Sequence, residues 1–166
     1  MRDVLIAIIS GKRPGDKEAR PTEKYKTQLD RVIISNDAEG YVTDIPIVHV
    51  PDDYREWYIA NHKNSDGAWY APMNRSYAIK YAREHGYRYL VQMDDNIVNL
   101  SIDYWAEDGE LEGVFRRYRQ GRIDAVDDFC AMFRVTLQNT NAAYCGCQVV
   151  GPAPPGETLL REGYVY

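Results

Sequence analysis

The sequence predicts a three-layer α/β fold with a mainly parallel sheet, and three observations carry that prediction. Apolar, β-branched segments of strand length recur through the first hundred residues and alternate with other elements. The first of them, Val4–Ile9, is apolar at every position, as a parallel strand covered on both faces must be. Only Gly86 stands between the one strongly periodic helix and the strand after it, which is the short αβ connection of a wound sheet.

The elements follow in order. Val4–Ile9 is the first strand, ended by Ser10-Gly11 and Pro14-Gly15. Gly11–Arg20, basic and punctuated by Gly and Pro, reads as a mobile loop. Thr22–Leu29 is expected to form a short helix with Thr22 as its cap. Val32–Ser35 is the second strand, stopped by the turn residues Asn36 to Gly40. Ile45–Val50 is the third, bounded by Pro46 and Pro51. Asp52–Ala71 is polar and aromatic and takes no assignment, with Gly67 and Pro72 closing it.

Met73–His85 is the most regular helix, with Met73, Tyr77, Ala78, Tyr81 and Ala82 on one face and Gly86 as its stop. Tyr87–Met93 is a strand that runs directly into Asp94-Asp95-Asn96. Beyond it, Ile102–Trp105 is a short strand or helix, Glu107–Gly109 a turn, and Arg116, Arg117, Arg119 and Arg122 a basic cluster. Ala125–Leu137 is expected as a helix, Ala142–Val150 as a strand, Gly151–Gly156 as a proline-rich loop and Gly163–Tyr166 as the start of a strand.

Composition narrows the function. The chain has 166 residues, the size of one domain, and a formal charge of −5. That balance argues against a protein that binds nucleic acid mainly by neutralising phosphates, while leaving room for a local basic patch. Three cysteines, an odd number, point to reduced thiols and a cytoplasmic protein. The apolar run at the N-terminus is too short for a signal peptide or a membrane span, so no membrane partner is expected. Fourteen tyrosines against three phenylalanines suit the half-buried walls of a cleft for a polar ligand.

Asp94 and Asp95 are the leading candidates for chemistry. They stand at the carboxyl end of a strand, where open α/β sheets place their ligands. Side chains of consecutive residues leaving a strand diverge, so one can face a divalent ion while the other accepts a hydroxyl. The same pair would also serve as a solvated turn or a helix cap. Asp37 follows the second strand at the same edge, placed to accept from a base N–H or to form an Asx-turn. Arg75, near the start of the regular helix, could pair with a carboxylate or a diphosphate. Lys12 and Arg13 flank the first loop and could close over a phosphate. No Walker or G-x-G-x-x-G cradle, hydrolytic triad or zinc spacing is present. Cys145 and Cys147 read as small buried strand residues.

Val4–Ser10, Ile33-Ile34-Ser35-Asn36-Asp37, Asn74-Arg75-Ser76-Tyr77-Ala78-Ile79-Lys80-Tyr81-Ala82 and Tyr89-Leu90-Val91-Gln92-Met93-Asp94-Asp95-Asn96-Ile97 together resemble the nucleotide-binding half of GT-A glycosyltransferases, above all the family-2-like group. The resemblance covers about residues 3 to 97. It implies a Rossmann-like GT-A domain spanning 1–166, with residues 1–100 as the nucleotide-binding half and 101–166 as a short acceptor-side half.

The implied activity is metal-dependent transfer of a sugar from a nucleotide-diphosphate sugar, a UDP-sugar by preference, to an acceptor hydroxyl. By position, Ser10, Lys12, Arg13, Asp37, Arg75 and Asp94 would bind the donor, with Asp37 on the base, Arg75 near the nucleotide and Asp94 on the ribose. Asp95 would hold Mn²⁺ or Mg²⁺. Ser76 and Asn96 depart from the family pattern, which there has asparagine and a third acidic residue. The C-terminal part is similar to the phage and eukaryotic glycosyltransferase-like domains associated with hydroxymethylpyrimidine modification, which implies modified DNA as an acceptor and a bacterial or phage-infected cell. The acid expected downstream as a general base has no clear counterpart in Asp124, Asp127 and Asp128. A nucleotidyltransferase and a non-catalytic nucleotide-binding domain are the competing readings.

Overall fold

Strand β1 (Arg2–Ile9) is the centre of the sheet. It pairs in parallel with β2 (Asp30–Ser35) on one side and with β4 (Tyr87–Asp94) on the other, and β3 (Ile47–His49) extends the sheet beyond β2. The order is β3-β2-β1-β4, with every pairing parallel. The structure is a computed structural model that describes residues 2–62, 70–98, 100–107, 116–122, 126–140 and 142–145.

Because successive side chains of a strand face opposite ways, the apolar run of β1 serves two cores. Leu5, Ala7 and Ile9 join Val32 and Ile34 beneath Tyr58 of α1 (Asp52–Asn61) and Met73, Tyr77, Ala78 and Ala82 of α2 (Tyr70–Glu84). Ile6 and Ile8 face the other way. There they pack with Ile33, Met93 and Tyr25 against Val126, Phe129 and Cys130 of α3 (Val126–Asn139). Helices therefore cover both faces of a parallel sheet, and the α/β class expected from the sequence is present. Strands β5 (Ser101–Glu107) and β6 (Arg116–Arg122) form a separate antiparallel pair that sets Glu107 across from Arg116 and Ser101 across from Arg122. The basic cluster thus lies along β6.

Several elements differ from expectation. Thr22–Leu29 is not a helix. Only Pro21–Lys24 is wound, as a 3-10 turn closed by Tyr25 N–H on the Thr22 carbonyl, and the Thr22 side chain bonds to the end of β4 instead of capping a helix. The third strand is shorter than Ile45–Val50 because Pro46 has no N–H to give, although the Pro46 carbonyl still accepts from Ile33 N–H at 2.9 Å. Asp52–Asn61, unassigned from sequence, is helical. Its apolar stripe is thin, with Tyr58 its one buried residue, and Asp52 and Asp53 suit the positive end of the helix dipole. Helix α2 begins at Tyr70, ahead of Pro72, which sits in the first turn where no backbone N–H is needed.

Gly86 has φ +74°, the left-handed conformation that ends α2 and lets β4 start at once. Residues 142–145 are irregular, not strand. The rest of that expected strand, the proline-rich loop Gly151–Gly156, Gly163–Tyr166, Asp124, Cys147 and residues 108–109 of the expected turn lie outside the described residues. Among the described residues no helix is long and apolar enough to cross a membrane.

Candidate functional site

The chain steps from β1 to β2 to β3 on one side, then crosses back to β4 on the other side of β1. The strand order reverses at β1, the kind of position at whose carboxyl end open α/β sheets bind their ligands. The segments that leave β1 and β4 meet there, Thr22 of the first bonding to the turn after the second. Ser10 follows β1 there, and Asp94 and Asp95 end β4. The two strand ends are stitched by Asp95 N–H donating to the Ile9 carbonyl at 3.2 Å.

Asp95 is buried, with 4 % of its surface exposed. Ser10 Oγ donates to Asp95 Oδ2 at 2.6 Å, and Arg13 Nε lies 3.1 Å from the same oxygen. Tyr41 OH is 2.9 Å from Ser10 Oγ. With Asp95 ionised, the single hydroxyl hydrogen of Ser10 is already committed to it, so Tyr41 is the donor in that contact. Arg13 N–H in turn donates to Tyr41 OH at 3.2 Å. A directed relay thus runs from the Arg13 amide through two hydroxyls to one carboxylate oxygen. Burial pushes the Asp95 carboxyl above its ordinary range and the nearby Asp94 charge adds to that, while the Ser10 hydrogen bond and the Arg13 and Arg20 charges pull it back.

Asp94 faces the other way and is exposed. Its Oδ1 is 2.5 Å from Arg75 Nη2. Gln92 Nε2 donates to the Arg75 carbonyl at 3.0 Å, which fixes the first turns of α2 to β4. Arg75 and Asp94 are therefore brought together, as are Ser10, Arg13 and Asp95. Lys12 has φ +56°, an uncommon conformation for a residue with a side chain and one that clusters at ligand sites. Its N–H donates to the Asp37 carbonyl at 3.1 Å, which ties the first loop to the end of β2. The Asp37 N–H donates to Ser35 Oγ, and its side chain is half-buried at this rim.

Four residues that sequence reasoning missed complete the site. Tyr41 supplies the relay hydroxyl. Thr22, expected to cap a helix, instead caps the β4 turn: its Oγ1 donates to the Asp94 carbonyl at 2.5 Å and accepts from Ile97 N–H at 2.9 Å. Asn74 is buried, donates through Nδ2 to the Ser10 carbonyl at 2.9 Å, and its Oδ1 has no partner among the described residues. Gln92 braces Arg75. Thr22 stands out in the sequence as a cap and Asn74 and Gln92 fall within the segments that carry the resemblance, but no local pattern places any of the four at the strand ends.

The basic first loop is less available than expected. Arg20 is fully buried, paired with Glu23, with Nη1 donating to the Arg13 carbonyl at 2.9 Å and Nη2 to the Val42 carbonyl at 2.8 Å. It is a structural cation that anchors the loop from beneath. Lys17 pairs with Asp44 at 2.7 Å. Downstream, Asp127 uses both oxygens to hold Thr27 and Gln28 ahead of β2, so it tethers α3 and does not face the crevice as a base. Cys130 is buried among apolar neighbours, which pushes its thiol up to about 11 and makes it unreactive. Cys145 is half-buried in the irregular segment.

Among the described residues no three His, Cys, Asp or Glu side chains converge as a cage for a metal ion. A magnesium-type ion carried on substrate phosphates needs only one or two protein carboxylates. Asp94 is exposed and paired with Arg75 and Asp95 is buried and paired with Ser10 and Arg13, so either carboxylate would give up a guanidinium to take an ion. The residues fit in that limited sense. Comparison of the chain with protein-family models, with curated proteins and with solved structures returned no match.

Proposed function

We propose that the crevice at the carboxyl ends of β1 and β4 is the donor site of a GT-A-like glycosyltransferase that takes a nucleotide-diphosphate sugar, UDP-linked by preference. The observation that carries this reading is the pairing at the strand ends: each of two adjacent carboxylates, Asp94 and Asp95, is held by a guanidinium, Arg75 and Arg13. A bound diphosphate is a stronger partner for both arginines than an isolated carboxylate, because it offers several charged oxygens to each planar fork. Its arrival would exchange partners, drawing the arginines to phosphate and releasing the carboxylates.

A divalent ion, Mn²⁺ or Mg²⁺, would supply Lewis-acid stabilisation of the leaving diphosphate when bound. Asp95, once released, would hold it, and Asp94, which faces the other way, would accept from the ribose. Asp37 at the β2 rim would accept from the base. Arg13 and Arg75 hold the diphosphate so that the anomeric carbon is turned toward an acceptor hydroxyl, with a hydroxymethylated base in DNA as the acceptor that the resemblance implies.

A non-catalytic nucleotide-binding domain is the second reading, favoured by one observation: Asp127, one of the downstream acids, is spent on holding Thr27 and Gln28. Calorimetry with uridine diphosphate, with and without Mn²⁺, tests the shared donor site. Divalent-dependent heat is expected, and none at millimolar nucleotide would remove both readings. Release of uridine diphosphate from a UDP-sugar in the presence of hydroxymethylated DNA separates the enzyme from the binding module.

A further inference from the structure

On the outer side of α1 and α2 lies an open groove of about 610 Å³ lined by Tyr54, Trp57, Ser76 and Ile79 with Lys80, Arg83 and Glu84. It continues into a hollow of about 470 Å³ that shares Tyr54, Trp57 and Lys80 and adds Asp53 at its rim. Trp57 and Ile79 are 52 % and 51 % exposed, although both stand on helices whose opposite sides pack on the core.

The aromatic floor is held in place. Tyr54 OH is 2.8 Å from Ser76 Oγ, its ring meets Tyr77 edge-on at 5.0 Å between centroids, and it lies tilted against Trp57 at 5.3 Å. Tyr54, fixed by a hydrogen bond and two ring contacts, has little freedom left to lose when something settles on it.

The rim decides the class of ligand. Asp53 and Glu84 bring two carboxylates and Lys80 and Arg83 two cations, so the charges balance, and Lys80 is already paired with Glu84. A strongly charged ligand would meet repulsion along with attraction. A purely apolar segment would cover those charges without pairing them, which is costly. A neutral molecule with an apolar face and hydroxyls that both donate and accept satisfies floor and rim together.

We infer that the α1–α2 groove is a saccharide-binding site, in which Trp57 and Tyr54 take the C–H face of a pyranose ring and Lys80, Arg83 and Glu84 take its hydroxyls. The groove is open along its length, which suits one unit within a β-linked oligosaccharide, whose rings present C–H bonds on both faces. None of its lining residues is among those assigned to the strand-end site, and the inference does not rest on the nucleotide reading.

Cellotriose and chitotriose are the probes, titrated into the whole chain while tryptophan fluorescence and amide NMR shifts are followed. A saturable change with at least one of them is expected. Trp57→Ala should weaken it about tenfold, the loss of one ring contact of this kind, and Trp57→Tyr should retain most of it. Trp57 is half exposed, so Trp57→Ala should keep the wild-type melting temperature, and binding of uridine diphosphate with Mn²⁺ should be the same in variant and wild type. No saturable change with either sugar overturns the inference, as does binding that Trp57→Ala leaves intact. Trp57-dependent self-association in sedimentation velocity would assign the groove to a second copy of the chain and overturn it equally.

Discussion

Arg13 Nε lies 3.1 Å from Asp95 Oδ2, and the two side chains differ sharply in exposure: Arg13 is 45 % exposed and the carboxylate 6 %. The outer partner can leave into solvent without disturbing the core. The inner partner is fixed by Ser10 and by the backbone bond from Asp95 to Ile9. Arg13 is therefore a removable cover on a rigid carboxylate, and this asymmetry makes the strand-end site open to test.

Arg13→Ala should separate metal binding from nucleotide binding. With the cover gone, Mn²⁺ alone should bind measurably better than to the wild type, while uridine diphosphate should bind less well. Stability should fall, because the variant leaves the buried Asp95 carboxylate without its guanidinium partner. Electron paramagnetic resonance of free Mn²⁺ reads the first effect and calorimetry the second. Equal Mn²⁺ affinity in the two proteins would show that Arg13 does not guard Asp95.

Asp95→Asn should change how stability depends on pH. Burial holds the Asp95 carboxyl above its unfolded range, so the folded chain keeps that proton to higher pH than the unfolded chain does. The stability this group contributes is full in acid and falls as pH rises from the unfolded value, near ~4, through the raised folded one. Asparagine has no such titration and still offers Ser10 an acceptor. The melting temperature of the variant relative to wild type should therefore be higher at pH 7 than at about pH 3. A difference that does not vary with pH would mean that Asp95 titrates normally.

Arg20→Met should destabilise the fold by about 3–5 kcal/mol, since it strands the buried Glu23 carboxylate. Arg20→Lys should recover only part of this, because one ammonium cannot reach Glu23, the Arg13 carbonyl and the Val42 carbonyl together. Adding Glu23→Gln to Arg20→Met should restore part of the loss. Urea unfolding of the three variants checks the order.

Gly86→Ala should cost about 1 kcal/mol. No atom stands within 4 Å of an added Cβ, so the loss comes from the left-handed backbone alone. A thermal melt suffices, and an unchanged midpoint would mean that the αβ turn relaxes to another conformation.

The sheet was legible because its signal is local. Val4–Ile9 and Tyr87–Met93 announce themselves by composition, and Gly86 marks the boundary between α2 and β4. The strand-end acids were legible for the same reason. What hid from the sequence is what depends on distant partners. Thr22 looks like a helix cap until β4 is beside it, and Arg20 looks like a loop cation until Glu23, Tyr41 and Val42 close around it. Helix α1 was missed because its apolar and aromatic residues do not keep to one face, with Tyr58 buried while Trp57 and Ile59 are exposed, so periodicity had little to register. Asp95 was picked out, but its inward setting was not, since alternation along a strand does not say which of two adjacent acids will meet Ser10.

The central position of β1 also sets a timetable for synthesis. Ile9 is paired with Ile34 on one side and with Asp94 on the other. The first partner leaves the ribosome soon after β1, whereas the second follows only after α1 and α2 have been made. At ordinary translation speed this interval is on the order of seconds, far longer than a helix or a hairpin needs to form. During it the most apolar strand of the chain has one edge unpaired, an open template for pairing with another nascent chain. Any chaperone protection this protein needs should therefore be concentrated before the ribosome completes β4, and truncations ending ahead of Tyr87 should accumulate as aggregates.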